Sequence, residues 1–529
     1  MTQKKDTAVK TVGMVMVIML LGKMTGMLRQ SMLTALVGYT AEANAFAYAS
    51  AIPNNFLDFT FASAISSCFI PVFNAYIEKK GKPAAFQLAN NFITLILLLS
   101  AAVTVAAVVF TPQVVYVMAT DLSPETALLT ASLLRIMLPT IVLSAAAFSL
   151  TGVLQSLGEF NIPAGMSLLS NLMIIGYWFF FFDRFGMTGL AVAFLAGWGT
   201  QVLIQMPSLL KKGYFYKPYL NLKDSGIREI AVLILPVMMS AWILPISSMI
   251  NLNAVSRLGE IGGIALNNAN TLYTVITGVL ILSIANVIFP KLSKDVAREN
   301  EKAFGETLRA TLRVLFFLLL PMTAGLVILS EPIVSLVYGW GKVGANEVAL
   351  SAYALSFYAL GMVGFGLQTI LSRGFYADRN SKIPLLTGLI AIAVNAALSF
   401  TLVDGMGVGG PALATSAAMT VTGGVMLYFM YRKNTAVLDK KTVRDVLKMF
   451  GLALVMAGAV YLSAARLKDF APSGGFAANA FKIALSVGLG VLVYMILSYA
   501  AKIEEAAFVF KTLSGVVRRT FNKGKEDRA

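Results

Sequence analysis

The sequence predicts an all-α polytopic membrane protein with fourteen transmembrane helices. Three observations carry that expectation. Of 529 residues, 57% are hydrophobic and 13% charged, whereas a soluble domain carries about 25% charged residues. Fourteen apolar stretches reach the roughly 20 residues a helix needs to cross a bilayer. The basic residues sort onto one side of that pattern, as the positive-inside rule requires.

In chain order the expected spans are 12–38, 44–76, 84–110, 126–155, 161–182, 187–210, 229–256, 263–290, 305–330, 347–372, 383–403, 408–431, 446–466 and 479–501. Lys4 and Lys5 precede a charged first segment without a small-residue cleavage site, so that segment is expected to stay as a helix. Pro53, Pro139, Pro236, Pro245 and Pro321 fall inside spans, where membrane helices tolerate kinks.

Of the 42 basic residues, thirty-three fall on one side of the spans, six on the other, and Lys23, Arg29 and Arg135 within them. This places both termini in the cytoplasm. Most of the net charge of +16 is thus topology, which removes the case for a nucleic-acid partner. The basic tail from Lys511 to Arg528 is a solvated topogenic segment within reach of membrane lipids.

The chain repeats itself. Ala85-Phe86 returns as Ala303-Phe304, Phe69-Ile70-Pro71 as Ile288-Phe289-Pro290, and Pro112 as Pro332. Ile162-Pro163 returns as Ile383-Pro384, Gly189 as Gly410, and Lys211-Lys212 as Arg432-Lys433, with offsets of 218 to 221. Each repeat holds six spans, an even number, so the two lobes share one orientation and a pseudo-two-fold axis along the membrane normal. The expected domains are a six-helix lobe at 1–222, a second at 223–434, two additional helices at 435–501, and the basic tail at 502–529. Transporters of this build bind substrate between lobes and alternate access.

Lys23 and Arg29 stand in the first span. A charge at that depth costs about 3 kcal/mol on insertion scales, so it faces a wet cavity or an anion. Six residues apart, they point about 120° away from each other and edge a wide cavity. Gly22 and Gly26 on the same helix form a GxxxG pattern, read as close helix packing. Asp58 in span two is the candidate counter-charge. The second lobe is polar without charge at Asn251, Asn253, Asn267, Asn268, Asn270, Thr271 and Asn286. Asn395 and Ser399, one turn apart, offer oxygens for a monovalent cation without a carboxylate beside them.

Several classes are excluded. Histidine is absent and Cys68 is the lone cysteine, so neither an internal disulfide nor the commonest general base exists. Gly405 to Gly410 spells GxGxxG but lies between membrane helices with no strand before it, so it is no nucleotide site. Short outer loops without histidine disfavour an enzyme acting on lipid-linked glycans. No metal or organic cofactor is expected.

Certain motifs then stand out together: Gly26-Met-Leu-Arg29; Asn44-Ala-Phe46 with Ile52-Pro53-Asn54; Phe69-Ile-Pro71 to Tyr76; Pro290-Lys-Leu-Ser-Lys294; and Arg373-Gly-Phe-Tyr-Ala377 with Lys382-Ile-Pro384. In this order the chain resembles the MurJ (MviN) family of the multidrug/oligosaccharidyl-lipid/polysaccharide exporter superfamily, along essentially its whole length. The resemblance implies a flippase moving lipid II, the undecaprenyl-diphosphate-linked peptidoglycan precursor, across the bacterial plasma membrane for cell-wall organisation and cell shape. It implies Lys23 and Arg29 on the diphosphate, with Asp58, Asn44, Asn270 and Thr271 around them. Departures accompany it. Many members carry Arg-Asp where Arg29-Gln30 stands, an acid at Asn44, paired arginines at Leu57-Asp58, and Asp-Arg at Asn270-Thr271. The alternatives are a flippase for another polyprenyl-diphosphate glycan, a drug/cation antiporter of the same superfamily, or a scaffold for cell-wall synthesis proteins. Coupling is to the membrane potential or a monovalent cation.

Overall fold

The computed structural model describes residues 2–51, 54, 65–378, 380–470 and 476–507. Among them there is no strand. The helices are α1 (Thr2–Val37), α2 (Ala41–Ala51), α3 (Ile70–Val109), α4 (Thr111–Met118), α5 (Pro124–Met137), α6 (Thr140–Ser156), α7 (Asn161–Phe180), α8 (Phe182–Leu203), α9 (Met206–Lys211) and α10 (Ser225–Ala241). They continue as α11 (Ile243–Ser256), α12 (Gly262–Ala297), α13 (Glu301–Ile328), α14 (Ser330–Tyr338), α15 (Ala345–Leu360), α16 (Met362–Ala377), α17 (Lys382–Met406), α18 (Gly409–Lys433), α19 (Lys440–Phe470) and α20 (Phe476–Ala500).

Among the described residues, ten helical stretches are long and apolar enough to cross a membrane, and the pair α15–α16, bent by 44°, makes an eleventh. Three further expected spans correspond to α1, which holds Lys23 and Arg29, to 44–76, of which residues 52–53 and 55–64 lie outside the described residues, and to 229–256. The last is broken at Trp242 into α10 and α11, beside Pro245, which lacks a backbone donor. The basic loop expected between spans two and three is a kink inside α3. Gly81 sits there at φ +81°, a left-handed conformation in which a side chain is strained, and Pro83 opens the second arm.

The order of elements recurs. The second arm of α3, then α4, the pair α5/α6, α7 and α8 is followed later by α13, α14, the pair α15/α16, α17 and α18. The paired helices are interrupted at Pro139 in the first pass and at Gly361 in the second.

Contacts divide the chain into two compact units. The first comprises Met1–Val275, Val337–Glu347 and Asn395–Pro411; the second comprises Ile276–Leu336, Val348–Val394 and Ala412–Ala529. These units do not follow the 222/223 boundary read from the repeat. Parts of the second repeat pack with the first instead.

In the first unit, Phe69 stacks on Phe92 at 4.7 Å within a core that includes Leu88 and Leu154. Apolar contact alone does little to join helices in lipid, so close approach and buried hydrogen bonds matter more. Gln205, fully buried, shows the device: its Nε2 donates to Ala147 O at 3.0 Å and its Oε1 accepts from Thr151 at 3.2 Å. In the second unit, Arg313 of α13 binds Glu505 through Nε at 2.6 Å and Nη2 at 3.1 Å, and Asp445 of α19 through Nη1 at 2.9 Å. The side chains of Arg313, Asp445 and Glu505 are 8%, 7% and 11% exposed, so this cluster ties the C-terminal helices to α13 from within.

Candidate functional site

The site is built on α1. Its Gly22–Gly26 face lies on α7, as the GxxxG pattern predicts. A Cβ at Gly22 would stand 2.7 Å from Ser167 Oγ, and one at Gly26 would stand 3.2 Å from Asn171 Nδ2. Asn171 Nδ2 donates to Gly22 O at 3.0 Å. That packing sets the rotation of α1, and hence where its cations point.

Arg29, half-buried, lies over the Phe194 ring at 5.7 Å. It lines a cleft with Gln30, Ser50, Asn54, Trp178 and Phe194. The cleft has about 10 Å³ of free space, the room of a single water. Trp178 also lines the cleft, and its Nε1 is buried without a hydrogen-bond partner. The Arg29 guanidinium gives the cleft the charge-assisted donor chemistry that suits an oxyanion. Lys23 is also half-buried but does not line the cleft, so the two cations are not brought onto one spot.

Asn44 is fully buried, and its Oδ1 accepts from Ile264 N at 3.2 Å. It therefore caps the first turn of α12 from α2, and its Nδ2 has no partner. Asn270 and Thr271 are half-buried on α12; their carbonyls accept from Thr274 Oγ1 at 2.9 and 3.0 Å. Asn395 Nδ2 and Ser399 Oγ donate to one oxygen, Asn251 Oδ1, at 3.1 and 2.9 Å. They thus join α17 to α11 as hydrogen-bond donors. Asp58 lies outside the described residues.

Within this unit a set of links joins the first repeat to the second. Gln30 Nε2 and Thr34 Oγ1 donate to Asn268 Oδ1 at 2.9 and 3.1 Å, and Asn268 Nδ2 donates to Tyr39 OH at 3.1 Å. Trp340 Nε1 donates to Ser31 Oγ at 2.9 Å, and Lys342 N donates to Ala35 O at 2.7 Å. Gly341, at φ +68°, lies so close to Ala35 O that no Cβ fits between them. Tyr48 OH donates to Leu252 O at 3.1 Å, and Arg257 lies 3.8 Å from Asp121 and 3.5 Å from Asp404. Many of these residues lie in or beside connections that carry few basic residues. Sequence reasoning placed Asn268 among the polar residues of α12 but missed Trp340, for which a Gly-Trp-Gly turn was the sole signal.

The family model described as "Lipid II flippase MurJ" matches residues 33–506. The chain belongs to the MurJ family. A Burkholderia cenocepacia protein named lipid II flippase MurJ is 26% identical over 450 residues, covering 84% of this chain and 87% of that protein. A Thermotoga maritima protein named probable lipid II flippase MurJ is 28% identical over 487 residues, covering 91% and 94%. A solved structure described as lipid II flippase MurJ in an inward closed conformation superposes with a TM-score of 0.78 at 24% identity, over 92% of this chain and 97% of that one. An inward-facing MATE family multidrug transporter shares the fold at a TM-score of 0.66 and 15% identity, over 80% and 98%. MurJ membership makes this a transporter rather than a catalyst, and the antiporter alternative is not favoured.

Proposed function

We propose that this chain flips lipid II from the inner to the outer leaflet of the bacterial plasma membrane by alternating access. The observation that carries the reading is Arg29, an intramembrane cation lining a cleft in a chain of the MurJ family. A diphosphate leaving water needs such donors, because charge-assisted hydrogen bonds replace its lost hydration. Lys23, reached separately on α1, holds the same group at another stage of passage. Asp58 tunes both cations. Asn270 and Thr271 line the facing wall, with Asn44 fixing where α12 begins.

The basic-poor end is the outer one, and both termini are cytoplasmic; the charge sorting supports this. The links from Gln30 to Asn268 and from Ser31 to Trp340 then hold the outer side shut, the state that receives substrate from the inner leaflet.

Movement is driven by the membrane potential. Two diphosphate charges leaving a negative interior gain roughly 4–5 kcal/mol per 100 mV.

The test is complementation of a flippase-depleted strain, read as lipid II accessibility at the outer leaflet. The wild-type chain restores it. Lys23→Ala with Arg29→Ala abolishes it while the protein still inserts. Full rescue by the double variant would sink the assigned role. Failure of the wild-type chain, with rescue of a different glycan pathway, selects another polyprenyl-diphosphate cargo.

A further inference from the structure

The connection between α9 and α10 crosses residues 212–224 without a helix, yet it is not loose. It is pinned along the second arm of α3. Asn90 Oδ1 accepts from Tyr214 OH at 2.8 Å and from Lys217 N at 3.3 Å. Thr94 Oγ1 lies 3.0 Å from Tyr216 OH and accepts from Tyr219 N at 3.2 Å. Asn91 and Asn221 exchange two hydrogen bonds, both 2.8 Å, as paired strands do. Asp224 Oδ1 closes the strap by accepting from Gly226 N at 2.8 Å and from Tyr76 OH at 3.1 Å.

Fixing the backbone this way forces some side chains outward. Phe215, Leu220 and Leu222 are 68%, 48% and 59% exposed. Lys211, Lys217 and Lys223 are exposed beside them. Between residues 211 and 228 the cations are Lys211, Lys212, Lys217, Lys223 and Arg228, against Asp224 alone, whose carboxylate is already engaged.

The depth of the strap can be read from α3. From Phe92 to Phe110 the chain carries no charge for 19 residues, about 28 Å of helix and close to one hydrocarbon thickness. Asn90, Asn91 and Thr94 mark the start of that stretch, so the strap lies level with the boundary between headgroups and acyl chains. Apolar side chains with lysines at that level are the chemistry of an interfacial element, which gains from both acyl contact and anionic headgroups.

We propose that the 211–224 strap is a binding site for anionic phospholipid. Phe215, Leu220 and Leu222 enter the acyl boundary, and Lys211, Lys217 and Lys223 hold the phosphates. The strap does not touch the Arg29 cleft, so this site stands apart from cargo recognition.

The test uses the full chain. Phe215→Cys on a Cys68→Ser background, carrying an environment-sensitive fluorophore, is reconstituted into phosphatidylcholine vesicles with and without phosphatidylglycerol. Emission is expected to be apolar and quenched by lipids brominated on their acyl chains. Native mass spectrometry of the unlabelled protein is expected to retain phosphatidylglycerol over phosphatidylcholine. Each of Lys211→Gln, Lys217→Gln and Lys223→Gln lowers that preference roughly five-fold, while the matching Lys→Arg variants keep it. Quenching by aqueous iodide instead of brominated lipid would overturn the insertion. An unchanged preference in the triple Gln variant would overturn the headgroup contact.

Discussion

At the residue scale, burial decides what each polar side chain is worth. Arg313 shares its guanidinium between Asp445 and Glu505 with little solvent access. Arg313→Ala leaves both carboxylates buried and unpaired, and is expected to cost about 3–5 kcal/mol. Arg313→Met combined with Asp445→Leu and Glu505→Leu recovers much of that loss, since an apolar replacement of a buried ion cluster is often neutral. Thermal unfolding in detergent distinguishes the two. Asn44→Ala removes the cap of α12 and is expected to cost about 1 kcal/mol by the same measurement. The sequence made Lys23 and Arg29 visible because charge inside an apolar run is conspicuous. It hid the role of Asn44, because the N–H it caps lies 220 residues away.

At the element scale, spans were legible where length and hydropathy act locally, and joints only in part. The joint between α5 and α6 announces itself through Pro139 and the break before α11 through Pro245, but the kink at Gly81 replaced an expected loop. That kink depends on backbone geometry that apolar content does not encode. The turn after α14 is a sharper case. Gly341 leaves no room for a methyl group against Ala35 O and holds a positive φ. Gly341→Ala is therefore expected to displace the turn, lose the Lys342–Ala35 and Trp340–Ser31 bonds, and speed amide exchange at residues 338–344. Unchanged exchange protection there would contradict the account.

At the scale of the whole molecule, the links between repeats must be strong enough to hold and weak enough to release. Interhelical hydrogen bonds in membranes are worth about 0.6 kcal/mol each, up to about 2. The network around Asn268 with the Trp340 contact thus amounts to a few kcal/mol, the usual gap between two populated states. Gln30→Ala with Asn268→Ala is expected to shift the population toward opening at the basic-poor end. Faster thiol labelling of Ser50→Cys, in the Arg29 cleft, measures it. Collapse of the membrane potential with valinomycin and potassium is expected to halt flipping in vesicles while leaving cargo binding intact. Continued flipping would point to a chemical gradient instead.

The chemistry of that network also sets how it meets the environment. Gln30, Asn268, Tyr39, Thr34, Ser31 and Trp340 bring amides, hydroxyls and an indole, and the chain contains no histidine. None of these groups takes up or loses a proton near neutrality. On the proposed orientation this is the face turned to a medium whose acidity the cell does not control. These amide, hydroxyl and indole links hold equally in mildly acidic and mildly alkaline surroundings, so acid acts on that end only through carboxylate pairs such as those of Arg257 with Asp121 and Asp404.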